Sequence, residues 1–148
     1  MSKTQTGWIW LGIGLAGAYL GWSNRRLLTV HDITTGESAA YPALRSRVYY
    51  TDIDAALTAT ERVLEHLAGW QLQSKDSGNA ILEATAGSSF GLWTDDVTVY
   101  FFALGHGQTR VTIRARSRTE YGDIGRNAAH IRALQSALDD QLTAGAAF

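Results

Sequence analysis

The side chains best suited to hold or move charge sit in the second half of the chain: Asp95, Asp96, Arg114, Arg116, Arg118, Asp123 and Asn127. Paired carboxylates beside arginines could do acid–base work. No histidine, serine or cysteine is fixed beside them in sequence, however, and no motif names a reaction. The arginine row could instead hold an anion, because a guanidinium grips phosphate with two parallel hydrogen bonds. A third reading is structural. Asp95 and Asp96 would neutralise the strand arginines, with Glu83 as a further acid, while Asp123 and Asn127 fix the last helix. Arginines at alternate positions on one strand face repel one another unless acids or water relieve them. Sequence settles none of the three, and catalysis has the least to rest on.

Other chemistry is thinner. The chain has no cysteine, so disulfides and thiolate catalysis are excluded. His31, His66, His106 and His130 are scattered without ligand spacing, so no metal site is expected. His66 and His130 fall on expected helices and read as partly exposed. Gly105-His106-Gly107 reads as a hairpin and not a phosphate loop, since no lysine and no helix follow. The net charge of −1 shows no basic block, so no nucleic-acid partner is expected, and nothing implies a cofactor. Tyr49, Tyr50, Trp70, Tyr100, Phe101 and Phe102 read as core or sheet-face aromatics.

These residues need elements to position them. Ser46–Tyr50 reads as a first strand. Thr51 and Asp54 then have capping-box spacing, and Ile53, Leu57, Thr60, Leu64 and Leu67 form a helical stripe that Gly69 can end. Trp70–Lys75 and Asn79–Thr85 flank Asp76-Ser77-Gly78, so they read as a hairpin. Val97–Leu104 is a strongly apolar strand. Thr109–Arg118 alternates strictly: Val111, Ile113, Ala115 and Ser117 face one way, Arg110, Thr112, Arg114, Arg116 and Arg118 the other. A final helix over about 123–142 is capped by Asp123. The expected fold is α+β, in the order β-α-β-β-β-β-α, with an antiparallel sheet carrying both helices on one face.

The amino-terminal stretch is different in kind. Gly7–Trp22 lacks any charge, and the uncharged run extends over Thr4–Asn24. As a helix it would reach roughly 30 Å, the thickness of a bilayer core. Trp8, Trp10 and Trp22 sit at its ends, with Arg25 and Arg26 following, as membrane-interface residues do. The reading is one transmembrane helix preceding the domain, with a signal peptide as its rival. Gly12, Gly14, Gly17 and Gly21, with Ala16 and Ala18 between, give small-xxx-small spacing on one helical face, suited to packing on another membrane helix. The layout is then a tail and helix over 1–26, a linker or arm over 27–40, and one domain over 41–148. Within the arm, Leu27, Leu28, Val30 and Ile33 could form a short strand or interfacial segment.

Three spaced motifs carry a resemblance. They are Phe90-Gly91-Leu92-Trp93-Thr94-Asp95-Asp96-Val97, then Thr112-Ile113-Arg114-Ala115-Arg116-Ser117-Arg118, then Asp123-Ile124-Gly125-Arg126-Asn127-Ala128 with Ile131-Arg132 beyond. Together they resemble the DUF1499 family, whose pattern is FGF-x-DDV, an RSRS-type strand and D-[LI]-G-x-N-A opening a helix. Ala115 stands where a serine or similar small residue is usual, and Trp93 extends the aromatic run. The resemblance implies a domain of unknown function found in bacteria and plastids, without known catalytic residues, and some relatives look exported or lumenal. The expectation is a non-catalytic, single-pass accessory subunit of the inner (cytoplasmic or intracytoplasmic) membrane. Its domain would lie on the periplasmic or lumenal side. Its partners would be the lipid bilayer and other membrane subunits, with a photosynthetic or other bioenergetic complex as host. The alternative is a membrane-tethered module that binds an anion or lipid on the arginine face.

Overall fold

The computed structural model describes residues 30–88, 91–119 and 125–145. Its longest strands are β5 (Thr94–Gly105) and β6 (Gln108–Ser117), rich in the β-branched and aromatic residues that suit a pleated surface. They are joined through His106 and Gly107, whose φ angles of 53° and 69° are both positive, as a two-residue type I′ turn requires. β4 (Ile81–Gly87) pairs with β5, and β3 (Trp70–Asp76) pairs with β4. On its other side β6 is lined by two three-residue strands in succession, β1 (Asp32–Thr34) and β2 (Arg47–Tyr49). Every pairing is antiparallel, and the sheet order is β1-β6-β5-β4-β3 with β2 also on β6.

Alternation along the strands divides the sheet into two faces. Val97, Val99 and Phe101 on β5 and Val111, Ile113 and Ala115 on β6 are buried. Over them lie α1 (Ile53–His66) and α2 (Arg126–Gly145), which contribute Leu57, Val63, Leu64, Ile131, Leu134 and Leu138 to the core. The opposite face, with Arg110, Thr112, Arg114 and Arg116, carries no helix among the described residues. Asp52, not Thr51, caps α1: its Oδ1 accepts a 2.8 Å bond from Ala55 N–H. After α1, Gly69 adopts φ +81°, and a Cβ there would stand 2.7 Å from the Gly87 carbonyl oxygen. Only glycine lets the two backbones meet, and Gly87 N–H donates to Gly69 O at 2.9 Å.

The expected architecture needs correction in two respects. The order is β-β-α-β-β-β-β-α, because Asp32–Thr34 pairs with Arg114–Arg116 where an arm before the domain was expected. The transmembrane helix is not part of this fold. Among the described residues no helix is long and apolar enough to cross a membrane. α1 has 14 residues, too few for a span that needs about 20, and α2 has 20 but carries Arg126, Arg132, Asp139 and Asp140. The residues assigned to that helix and its interfaces, Gly12, Gly14, Gly17, Gly21, Trp8, Trp10, Trp22, Arg25 and Arg26, lie outside the described residues. So does Asp123, the expected cap of α2.

Candidate functional site

Asp95 and Asp96 are neighbours in β5, so the strand sends their carboxylates to opposite faces. The set that sequence grouped as one network is therefore two. Asp95 and Asn127 lie on the helix side; Asp96, Arg114, Arg116 and Arg118 lie on the open side.

On the helix side Asp95 is fully buried at the joint of β5, β6 and α2. Arg126, in the first turn of α2, donates from Nε to Asp95 Oδ2 and from Nη2 to Oδ1, both at 3.1 Å. His130 lies one turn later on the same helix face, and its Nε2 stands 3.0 Å from Asp95 Oδ2. Ser117 Oγ accepts from Arg126 Nη2 at 3.3 Å and from Asn127 Nδ2 at 3.2 Å. Asn127 Nδ2 also donates to the His31 carbonyl at 3.0 Å, which ties the start of α2 to the residue before β1. Trp93 lies under the Arg126 guanidinium at 4.9 Å, and Trp70 meets the His130 ring edge-on at 5.6 Å. Burial alone would push the Asp95 carboxyl up. The hydrogen bonds from His130, Arg126 and Ser117, with the Arg126 charge, outweigh it and hold the group down at about 2. A carboxylate has about four acceptor positions, and these donors fill them. The Asp95 carboxylate is thus held by its own supports.

On the open side the arginines pair diagonally. In register, Arg116 stands opposite Asp32 on β1 and opposite Asp96 on β5. Yet Asp32 is forked by Arg114, at 3.0 and 2.6 Å, and Asp96 by Arg118, at 3.0 and 2.7 Å. Arg114 holds the Asp32 carboxyl below its ordinary range, with the Arg116 charge adding to the effect. Arg116 itself makes no hydrogen bond or ion pair among the described residues, although both its cross-strand neighbours are acids. Arg110, at the other end of the stripe, has the Phe102 ring beneath it, at 4.9 Å, and no acid partner among the described residues. Between β1, the 35–46 segment and the open faces of β5 and β6 runs a wide, shallow groove of about 1220 Å³, lined by Thr34, Ser46, Tyr100, Arg110, Thr112 and Arg114 among others. A second hollow beside it is lined by Gln73, Glu83, Asp96, Arg114, Arg116 and Arg118.

Sequence reasoning missed Arg126 and His130 as partners of Asp95. Their i, i+4 spacing on a helix and a carboxylate at an inward strand position were the available signals. His130 is partly exposed, as expected. Glu83 bonds Ser74 at 2.6 Å and not an arginine. Asp32 was read as part of an arm, so the acid that pairs with Arg114 went unseen.

The family described as "Protein of unknown function (DUF1499)" matches residues 26–138, and the chain belongs to it. No curated protein matches the chain. Among solved structures, the crystal structure of TTHA0849 from Thermus thermophilus is similar at 10% identity and a TM-score of 0.39, over 77% of this chain and 98% of that one.

Proposed function

We propose that this DUF1499 domain is a non-catalytic binding module whose open sheet face takes an anionic group, phosphate-like in chemistry. One observation carries the reading. Within an arginine stripe on a concave face, Arg114 and Arg118 are paired with acids, while Arg116 and Arg110 are exposed and form no ion pair among the described residues. A guanidinium outside any hydrogen-bonded ion pair can be recruited without breaking one. A non-catalytic role is supported by the saturation of Asp95, whose imidazole and guanidinium neighbours are committed to it. Interaction with a larger partner fits the same face, since Phe102, Leu104 and Val48 stand exposed near Arg110. The accessory-subunit reading is kept in that form, resting on the domain and not on residues 1–29.

The probe is inorganic phosphate, followed through the arginine Nε–Hε resonances of the full chain. The Arg116 and Arg110 signals are expected to move and saturate, with Arg114 and Arg118 nearly still. Arg116→Gln is expected to weaken binding about tenfold, as loss of one charge-assisted hydrogen bond of about 1.5 kcal/mol implies. Movement of all the arginines alike without saturation, as salt screening gives, would refute the reading.

A further inference from the structure

Arg110 and Arg116 belong to different hollows. About 20 Å of extended strand separates them along β6. Arg110 lines the groove of about 1220 Å³, and Arg116 lines the hollow beside it. Clefts that hold small organic ligands run from about 300 to about 1,000 Å³. The groove on Arg110 is therefore sized for a whole ligand, of which the anion is one part. Its floor includes a square of side chains on the open sheet face. Tyr100 stands opposite Thr112 in register, and Phe102 opposite Arg110. Such neighbours are about 5 Å apart across the strands and about 7 to 8 Å along the diagonal, so one ring-sized body reaches all four.

The Arg110 guanidinium lies over Phe102, its carbon 4.9 Å from the ring centre. A guanidinium packed on a ring keeps the N–H fork at its edge to grip an anion. Beside it runs a chain of hydroxyls. Thr35 is buried, and its Oγ1 accepts from Ile113 N–H at 3.0 Å. The Thr35 proton goes to Ser46 Oγ, at 3.1 Å, because a buried hydroxyl left unpaired is costly. Ser46 then donates either to the Thr35 carbonyl, at 3.3 Å, or to Thr112 Oγ1, at 2.8 Å. In the first case Thr112 donates inward and offers the groove its lone pairs. In the second it accepts and offers the groove its proton. One proton turning on Ser46 thus makes Thr112 an acceptor or a donor with no heavy atom displaced. Phosphate oxygens call only for donors. A ligand hydroxyl is donor and acceptor at once, and Thr112 can meet it either way. Glu37 also lines the groove, without an ion pair among the described residues. It would repel a second phosphate, whereas a hydroxyl can donate to it.

We infer, resting on the anion binding proposed for this face, that the groove takes a phosphate joined to a polyhydroxylated ring: a sugar or cyclic polyol phosphate. The phosphate sits on the Arg110 fork. The ring lies over Tyr100, with its hydroxyls on Thr112 and Glu37.

The probe is glucose 6-phosphate, titrated into the full chain beside inorganic phosphate and phenyl phosphate while the Arg110 Nε–Hε and Thr112 amide resonances are followed. Glucose 6-phosphate is expected to bind about tenfold tighter than either of the others, the gain that one or two well-placed hydrogen bonds supply. Thr112→Val leaves Ser46 the Thr35 carbonyl to donate to, and it is expected to erase that advantage. Displacement of glucose 6-phosphate by vesicles containing phosphatidylinositol, with phosphatidylcholine vesicles inert, would assign the group to a lipid headgroup; its retention would assign a free sugar phosphate. Inorganic phosphate that moves the Arg110 signal while glucose 6-phosphate binds no tighter would overturn the inference and leave the anion reading standing. Phenyl phosphate binding as tightly as glucose 6-phosphate, or an advantage that survives Thr112→Val, would overturn it in the same way. Phosphate that moves neither Arg110 nor Arg116 would take down both.

Discussion

Asp95 and Asp96 are consecutive, identical in chemistry and opposite in circumstance. Asp95 is enclosed, with Arg126, His130 and Ser117 on it. Asp96 is nearly half exposed and shares Arg118 with water. In the enclosed site a missing partner leaves a charge without solvent, so the pair stands or falls together. On the open face water replaces whatever is lost, and such pairs are worth about 0–1 kcal/mol. The difference teaches that the buried network holds the domain together while the open stripe is free to vary its partners. Stability belongs to one face, and the recognition we propose to the other.

The largest test of that contrast is Asp95→Asn, which keeps shape and removes charge. It should cost about 3 kcal/mol, because Arg126 then stands mostly buried beside a neutral group. A urea midpoint that falls at unchanged slope checks it, and a loss below about 1 kcal/mol would break the comparison. Acid comes next. The Asp95 carboxyl is held at about 2 when folded, against about 3.9 when unfolded. Its contribution is therefore complete above about pH 4 and is lost as pH falls toward 2, an effect of order 2 kcal/mol. Asp95→Asn should flatten the stability curve across that interval. The smallest effect belongs to Asp96→Asn, expected below about 1 kcal/mol and shrinking further in high salt. Equal losses from the two asparagine variants would abolish the division of labour.

The strict alternation of Thr109–Arg118 was readable because its pattern needs no partner to be seen, and both faces of β6 follow it. The apolar stripe of α1 and the β3–β4 hairpin were readable for the same local reason. The two-site arrangement was not. An expected strand start at Val97 left Asp95 and Asp96 looking like a loop pair, whereas β5 begins at Thr94 and its period of two separates them. A short strand around Val30 and Ile33 was one of two readings of the arm, and its pairing was not readable because three residues carry almost no propensity of their own. They form a strand only by pairing with β6, far along in sequence at Arg114–Arg116. His130 meets Asp95 across 35 positions, a contact set by how α2 lies on the sheet.

The short strand β1 has a mechanical consequence. His31 lies at one end of the sheet, while α2 runs to the other, where Asp139 accepts the Tyr49 hydroxyl at 2.7 Å. Tension between a tether at the first end and a load at the second runs along β1, parallel to its length. The β1–β6 hydrogen bonds and the two bonds on the His31 carbonyl then share the force in shear and do not open one at a time. Under such a load a strand of three residues would carry the force into the described domain.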